Sequence, residues 1–189
     1  ALLALDIGPG DEVIIPAQTF IATANMVELV GGKPVFVDVD PDTLLLTPEL
    51  AAAAVTKRSM ACIPVHMYGL MCDMKGLRAA LPAHVTLIED CAHCFEGTRD
   101  GELPGRHSEM AIFSFYATKN VTCGEGGAIV LKDAGLFGKL QQTRLHGMSA
   151  DAHARYKPGG GTQYDMVSPG IKANLPDLLA ALARSQHTP

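Results

Sequence analysis

Ala61-Cys62-Ile63-Pro64-Val65, Asp73-Met74-Lys75-Gly76-Leu77-Arg78-Ala79-Ala80-Leu81 and Val85-Thr86-Leu87-Ile88-Glu89-Asp90 follow one another along the chain. The outer two are short apolar runs of strand length. The middle one opens on an Asp suited to capping and then sets Met74, Leu77 and Leu81 on one helical face. Outward from this stretch the same alternation continues. Towards the amino end, Val13-Ile14-Ile15 follows the turn Gly8-Pro9-Gly10-Asp11, and residues 19–30 read as a helix that starts at a capping-type Thr and stops at Gly31-Gly32. Residues 34–38 read as a strand, and Thr47-Pro48 opens a helix to about Thr56. Towards the carboxyl end, residues 110–113 and 127–131 are strands, and residues 136–145 and 175–183 are helices. Short, wholly apolar strands between helices predict a mostly parallel sheet covered on both faces, in one α/β domain.

Of the 189 residues, 48% are hydrophobic and 19% charged, enough apolar material for a full core, which excludes a disordered chain. The formal charge of −5, with no basic stripe against it, excludes a nucleic-acid backbone as partner. No apolar run approaches a bilayer span, so no membrane partner is expected. An odd set of 5 Cys in a chain of this size fits reduced thiols and a cytoplasmic location better than a disulfide framework. Residues 1–6 read as the last turns of a helix, and nothing after residue 185 reads as a finishing element. The expectation is an incomplete domain, residues 1–189 of a longer protein.

In a parallel sheet the ligand lies beyond the carboxyl ends of the strands, so polar residues there are the candidates: Gln18-Thr19, His66, Asp90, His93 and residues 114–119. Gly8-Pro9-Gly10 and Gly124-Glu125-Gly126-Gly127 both lead into strands, which is the wrong context for a dinucleotide fingerprint. Cys91-Ala92-His93-Cys94 is a C-x-x-C, but Cys62, Cys72 and Cys123 are isolated, so no second pair completes a zinc ribbon and no metal is expected. A redox dithiol remains a distant alternative; small buried thiols are the commoner role. Asp90 ends an apolar strand, where a carboxylate needs a donor or a cation. It either caps the next segment or serves as counter-ion to a buried cation. Lys119 lies just past Phe113-Ser114-Phe115-Tyr116-Ala117-Thr118, either as a surface lysine or as an amine that partial burial makes nucleophilic. Asp at one strand end and Lys at a later one are the two anchors of a pyridoxal phosphate site.

The runs Gly10-Asp11-Glu12-Val13-Ile14, Thr19-Phe20-Ile21-Ala22-Thr23-Ala24-Asn25, Pro64-Val65-His66, Ile88-Glu89-Asp90-Cys91-Ala92-His93 and Phe113-Ser114-Phe115-Tyr116-Ala117-Thr118-Lys119-Asn120 occur in that order. Thr122-Cys123-Gly124-Glu125-Gly126-Gly127, Leu145-His146-Gly147, Ser168-Pro169-Gly170 and Lys172-Ala173-Asn174-Leu175-Pro176-Asp177 follow. Together they resemble the DegT/DnrJ/StrS-type family of pyridoxal-phosphate sugar aminotransferases over nearly the whole chain. Residues 167–186 most resemble the branch that makes UDP-4-amino-4-deoxyarabinose, which would place the product in lipid A or cell-surface polysaccharide modification.

The resemblance implies the large domain of a fold type I pyridoxal-phosphate transferase. It makes Lys119 the Schiff-base lysine and Asp90 the partner of the pyridine nitrogen. His93 matches a position beside the ring oxygen and Ser114 a phosphate ligand; read from the residues alone, each is a hydrogen-bonded group at a strand end. Phe20 matches the aromatic that stacks on the cofactor ring; read alone, it is a core residue of the 19–30 helix. Asn174 matches a residue reaching the phosphate of a neighbouring subunit's cofactor, and read alone is a helix cap. The implied reaction moves an amino group from L-glutamate to a nucleotide-linked keto-sugar, leaving 2-oxoglutarate, in a homodimer with shared sites. The family's phosphate loop before residues 1–5 and its carboxyl-terminal small domain fall outside this sequence. That motivates the alternative of a non-catalytic cofactor-binding remnant.

Overall fold

The computed structural model describes residues 1–149 and 164–187. A 3-10 turn at Leu2–Leu5 leads into β1 (Glu12–Pro16), α1 (Ala22–Leu29), β2 (Lys33–Val37), α2 (Pro48–Ala53), β3 (Ser59–Cys62), a 3-10 turn at Met67–Gly69, α3 (Met74–Ala80), β4 (Thr86–Asp90), β5 (Met110–Ser114), β6 (Gly127–Leu131), α4 (Ala134–Thr143) and α5 (Asp177–His187). The strands form one sheet in the order β2-β1-β3-β4-β5-β6. All neighbours are parallel except β5 and β6, which are antiparallel with Ser114 opposite Gly127. This is the mostly parallel, helix-flanked sheet that the alternation predicts.

The period of two along a strand divides the core between the two faces of the sheet. Ile14, Cys62 and Leu87 point to one side, where they pack with Leu46 and Ala51 and with Met74, Leu77 and Leu81 of the α3 region. Val13, Ile15, Ala61, Ile63 and Ile88 point to the other, with Leu2, Ala24 and Val27 and with Leu136 and Leu140 of α4 packed against them. β1, buried on both faces, is apolar after Glu12 for this reason.

Local chemistry sets the helix ends. Thr47 Oγ1 accepts from the Leu50 amide at 3.3 Å with Pro48 in the first turn, and Asp73 Oδ1 accepts from Gly76 at 2.8 Å. Each cap is worth about 1 kcal/mol. Arg78 donates to the carbonyls of Leu81, Pro82 and Val85, which closes the turn between α3 and β4. Two expected helices are shorter than their patterns. α2 stops at Ala53, because the Thr56 amide donates to Ser59 Oγ (2.9 Å) and its hydroxyl donates to Glu12 (2.5 Å). α1 begins at Ala22, because Thr19 pairs its hydroxyl with that of Thr23 (2.9 Å) instead of capping. Phe20 therefore precedes α1 and is 76% exposed, so it is not a core residue of that helix.

Among the described residues no helix is long and apolar enough to cross a membrane. Where residues 143–149 meet residues 165–173, a Cβ on Gly147 would lie 1.7 Å from the Ser168 carbonyl oxygen, and φ there is +73°. Only glycine fits.

Candidate active site

β1 leads out to β2 on one side and β3 lies on the other, so the direction of winding reverses between β1 and β3. The crevice for a ligand opens beyond the carboxyl ends at such a point. Beyond the ends of β4 and β5, a cavity of about 240 Å³ is lined by Tyr68, His93, Phe95, Ser114, Lys119 and Asn120, among others.

Asp90 ends β4. Its amide donates to the Pro64 carbonyl (2.9 Å) and its carbonyl accepts from the His66 amide (3.0 Å), which holds the backbone on both sides. The half-buried carboxylate accepts from the Ala92 amide through Oδ1 at 3.0 Å. Local turn capping and a counter-ion role are compatible, because this bond uses one oxygen. The same turn carries Ala92 and His93 into the cavity wall, although Asp90 itself does not line it. His93 is exposed, with its ring centroid 5.8 Å from that of Tyr68.

Residues 115–126 connect β5 to β6 and carry Lys119. The loop is drawn in by the Phe115 amide to Gly126 (2.8 Å), the Cys123 amide to Phe115 (3.0 Å) and the Thr122 hydroxyl to Phe115 (3.0 Å). Lys119 donates its amide to Tyr116 (3.0 Å) and is half-buried; its ammonium has no hydrogen-bond or ion-pair partner among the described residues. Ser114 Oγ accepts from the Tyr116 amide at 3.3 Å. The Thr122 amide donates to Gln186 (2.8 Å) and Asn120 donates to Glu96 (3.1 Å), so α5 and the 91–97 turn brace the lysine loop.

Thus His93, Ser114 and Lys119 share one cavity, and Asp90 roots the turn beside it. Phe20 and Asn174 do not line it. Asn174 accepts from the Lys172 ammonium, and α5 begins only at Asp177, so Asn174 is not its cap.

Two features go beyond the sequence candidates, which include His66 but neither Tyr68 nor Glu89. Tyr68 lies at φ 52°, a left-handed conformation that costs a non-glycine residue about 1–3 kcal/mol, and stands 79% exposed over the cavity. Glu89 and His66 are both fully buried and joined Oε2 to Nε2 at 2.8 Å. A charged residue inside an apolar strand was the available signal. Burial alone would push the Glu89 carboxyl up, but hydrogen bonds from His66, Ser108 and Gly105 outweigh it and hold the group below its ordinary value. Ligand atoms of His66, Glu89 and Cys91 lie within 4.8 Å of one another. Both imidazole nitrogens are already committed, however: Nε2 to Glu89 and Nδ1 to the Cys72 amide at 3.2 Å.

The C-x-x-C does not suit redox work. Cys91 and Cys94 are free and buried, with Sγ atoms directed at the carbonyls of Glu89 and Gly69. Burial raises the thiol of Cys91 and pushes that of Cys94 up to about 11, which suppresses the thiolate an exchange reaction needs.

The mostly parallel sheet with helices on both faces matches the fold of pyridoxal-phosphate-dependent aminotransferases. Residues 1–188 match the DegT/DnrJ/EryC1/StrS aminotransferase family, and the chain belongs to it. Among solved structures it is similar to an aminotransferase from Psychrobacter cryohalolentis (36% identity, TM-score 0.87, covering 98% of this chain and 47% of that one). It is also similar to DesV of S. venezuelae (36%, 0.86, 98% and 47%). A third match is the PLP form of Spr1654 from Streptococcus pneumoniae, designated a sugar aminotransferase (30%, 0.86, 98% and 50%). The chain thus spans about half the length of these proteins.

Proposed function

We propose that the protein is a pyridoxal-phosphate-dependent aminotransferase that transfers an amino group from L-glutamate to a nucleotide-linked keto-sugar. The observation that carries this reading is the convergence of His93, Ser114 and Lys119 on one cavity, with Asp90 rooting the adjoining turn. The donor set fits pyridoxal phosphate: a lysine amine without a partner among the described residues, a carboxylate with one oxygen uncommitted, and a strand-end hydroxyl. When bound, that cofactor supplies an electron sink that stabilises a carbanion at the carbon losing its proton.

Lys119 would hold the cofactor through its amine and, as a free amine, would take a proton from the donor's α-carbon as base and give it back as acid. Asp90 would keep the ring nitrogen protonated. Ser114 would hold the phosphate and His93 the ring oxygen, while Phe20, exposed ahead of α1, would offer an aromatic face for the ring. Asn174, outside this chain's own cavity, would hold the phosphate of a partner subunit's cofactor. The active unit would then be a homodimer with shared sites. Five free, buried thiols suit a cytoplasmic setting, and the product serves lipid A or cell-surface polysaccharide modification.

Borohydride reduction of the full protein with pyridoxal phosphate, followed by peptide mass spectrometry, tests the assignment. The pyridoxyl group is expected on Lys119 and nowhere else, and Lys119→Ala should lose both the label and turnover. Label on a different lysine, or parent-level turnover in Lys119→Ala, would overturn it.

A further inference from the structure

Two buried carboxylates among the described residues are left unused by the proposed chemistry, and of these Glu12 is paired with Lys33 and Arg58 whereas Glu89 is not paired with a lysine or arginine. Glu89 follows Leu87 on the α2/α3 face of the sheet, opposite to the face taken by Ile88, and it is 0% exposed. Its Oε2 meets His66 Nε2 at 2.8 Å; its Oε1 accepts from the Gly105 amide at 2.8 Å and from the Ser108 hydroxyl. His66 Nδ1 accepts from the Cys72 amide, so a neutral imidazole with its one proton on Nε2 satisfies both contacts. Doubly protonated, the ring would turn an N–H against that amide. Glu89 thus retains a net negative charge inside the protein, and among the described residues it pairs with no lysine or arginine.

Its surroundings are defined on every side. His66 and Cys72 lie within the network, and Cys91 and Cys94 follow on the strand end. From the 73–75 and 99–107 segments, Asp73, Lys75, Arg99, Asp100, Glu102, Arg106 and His107 share with Glu89 the wall of a second cavity. Of these, Arg106 and His107 are engaged by Glu102, and Arg99 donates to the Met71 carbonyl.

A buried charge without a cationic partner is costly to keep, and in a cavity wall it marks a candidate functional site. Its position points to the use. His66 binds Glu89 through its ring and the Asp90 carbonyl through its backbone amide, at 3.0 Å, so one residue clamps both members of the pair. Ser108 and Gly105 tie the same carboxylate to the segment that feeds β5, the strand bearing Ser114 and leading to Lys119. We propose that Glu89 is a positioning residue of the active site: locked by His66, Gly105 and Ser108, it fixes the Asp90 strand end against β5, and its negative charge, one residue before Asp90, adds to the field at that strand end. This rests on the aminotransferase reading above.

Glu89→Gln keeps the shape and removes the charge. The protonated cofactor is the more positive form, so loss of a nearby negative charge should lower the pH midpoint of the bound cofactor's absorbance change by about one unit. Cofactor affinity, measured by equilibrium dialysis, should fall roughly tenfold, the lower end for outer partners that orient a ligand set. Leu77→Ala, a core change outside the network, is the control for lost stability. It should move neither quantity, even where its unfolding midpoint falls further. Glu89→Gln with parent midpoint and affinity, or Leu77→Ala with equal shifts, overturns the proposal. If Glu89→Gln does not fold, Ser108→Ala, which retains the charge, decides. Weaker cofactor binding at an unchanged pH midpoint supports the positioning role, and unchanged binding overturns it. A parent protein that binds no pyridoxal phosphate would instead overturn the aminotransferase reading.

Discussion

Asp90→Asn separates the charge of the site from its architecture. The only side-chain hydrogen bond that Asp90 makes among the described residues is accepted through Oδ1 from the Ala92 amide, and the carbonyl oxygen of Asn accepts it equally well. The backbone bonds to Pro64 and His66 do not involve the side chain. The expected change in stability is therefore within about 0.5 kcal/mol, as at sites where no buried group loses its partner. For a protein of this size that is a shift of no more than about 2 °C in Tm. The catalytic loss should be of a different order. A neutral amide cannot hold a protonated ring nitrogen as a carboxylate does, and removal of one preorganised group costs about 3 kcal/mol or more, which is roughly 150-fold in rate. The assay is a single-turnover amino-transfer half-reaction followed by absorbance, with thermal unfolding of the same samples in parallel. The variant should retain the cofactor, melt with the parent and react slowly. An Asn variant within about threefold of the parent rate would show that another carboxylate partners the ring. A fall of more than about 6 °C would show that the Asp90 carboxylate is structural.

Glu12 should confer acid-sensitive stability. The Thr56 hydroxyl, against the opposing effect of burial, and then Lys33 and Arg58 hold its carboxyl down at about 2. The folded value lies below the unfolded one, so the contribution is complete above about pH 4.3 and disappears as pH falls towards 2. Urea midpoints of the parent and Glu12→Gln should differ at pH 6 and converge near pH 2; a constant gap would refute the linkage. Leu77→Ala, at a fully buried site between α3 and the sheet, should cost about 2–5 kcal/mol in denaturant unfolding. A loss below about 1 kcal/mol would mean that the site is less tightly packed than the structure shows. Asn174→Ala should weaken cofactor retention, and mixing it with Lys119→Ala in the full protein should restore activity, because each heterodimer would carry one site with both residues intact. No recovery after confirmed subunit exchange would remove Asn174 from the shared site.

The alternation of strands and helices, the caps at Thr47 and Asp73, and the strand-end placement of Asp90 and Lys119 were legible in the sequence. Each depends on a side chain and the backbone within a few residues of it, so short-range spacing is sufficient. The same reasoning misplaced the start of α1, and the core alternative for Phe20 fails with it, because the pairing of Thr19 with Thr23 competes with capping and a residue pattern does not rank the two. What only the tertiary structure decided is set by partners far along the chain. The reversal between β1 and β3 and the antiparallel turn of β6 are choices of strand neighbour. The sequence placed Glu89 simply ahead of Asp90. The fold sends it to the opposite face of the sheet, where it meets His66 from the segment after β3 and Ser108 from the approach to β5. A buried charge is defined by the groups that satisfy it, and those groups converge on Glu89 only when β3, β4 and β5 lie side by side.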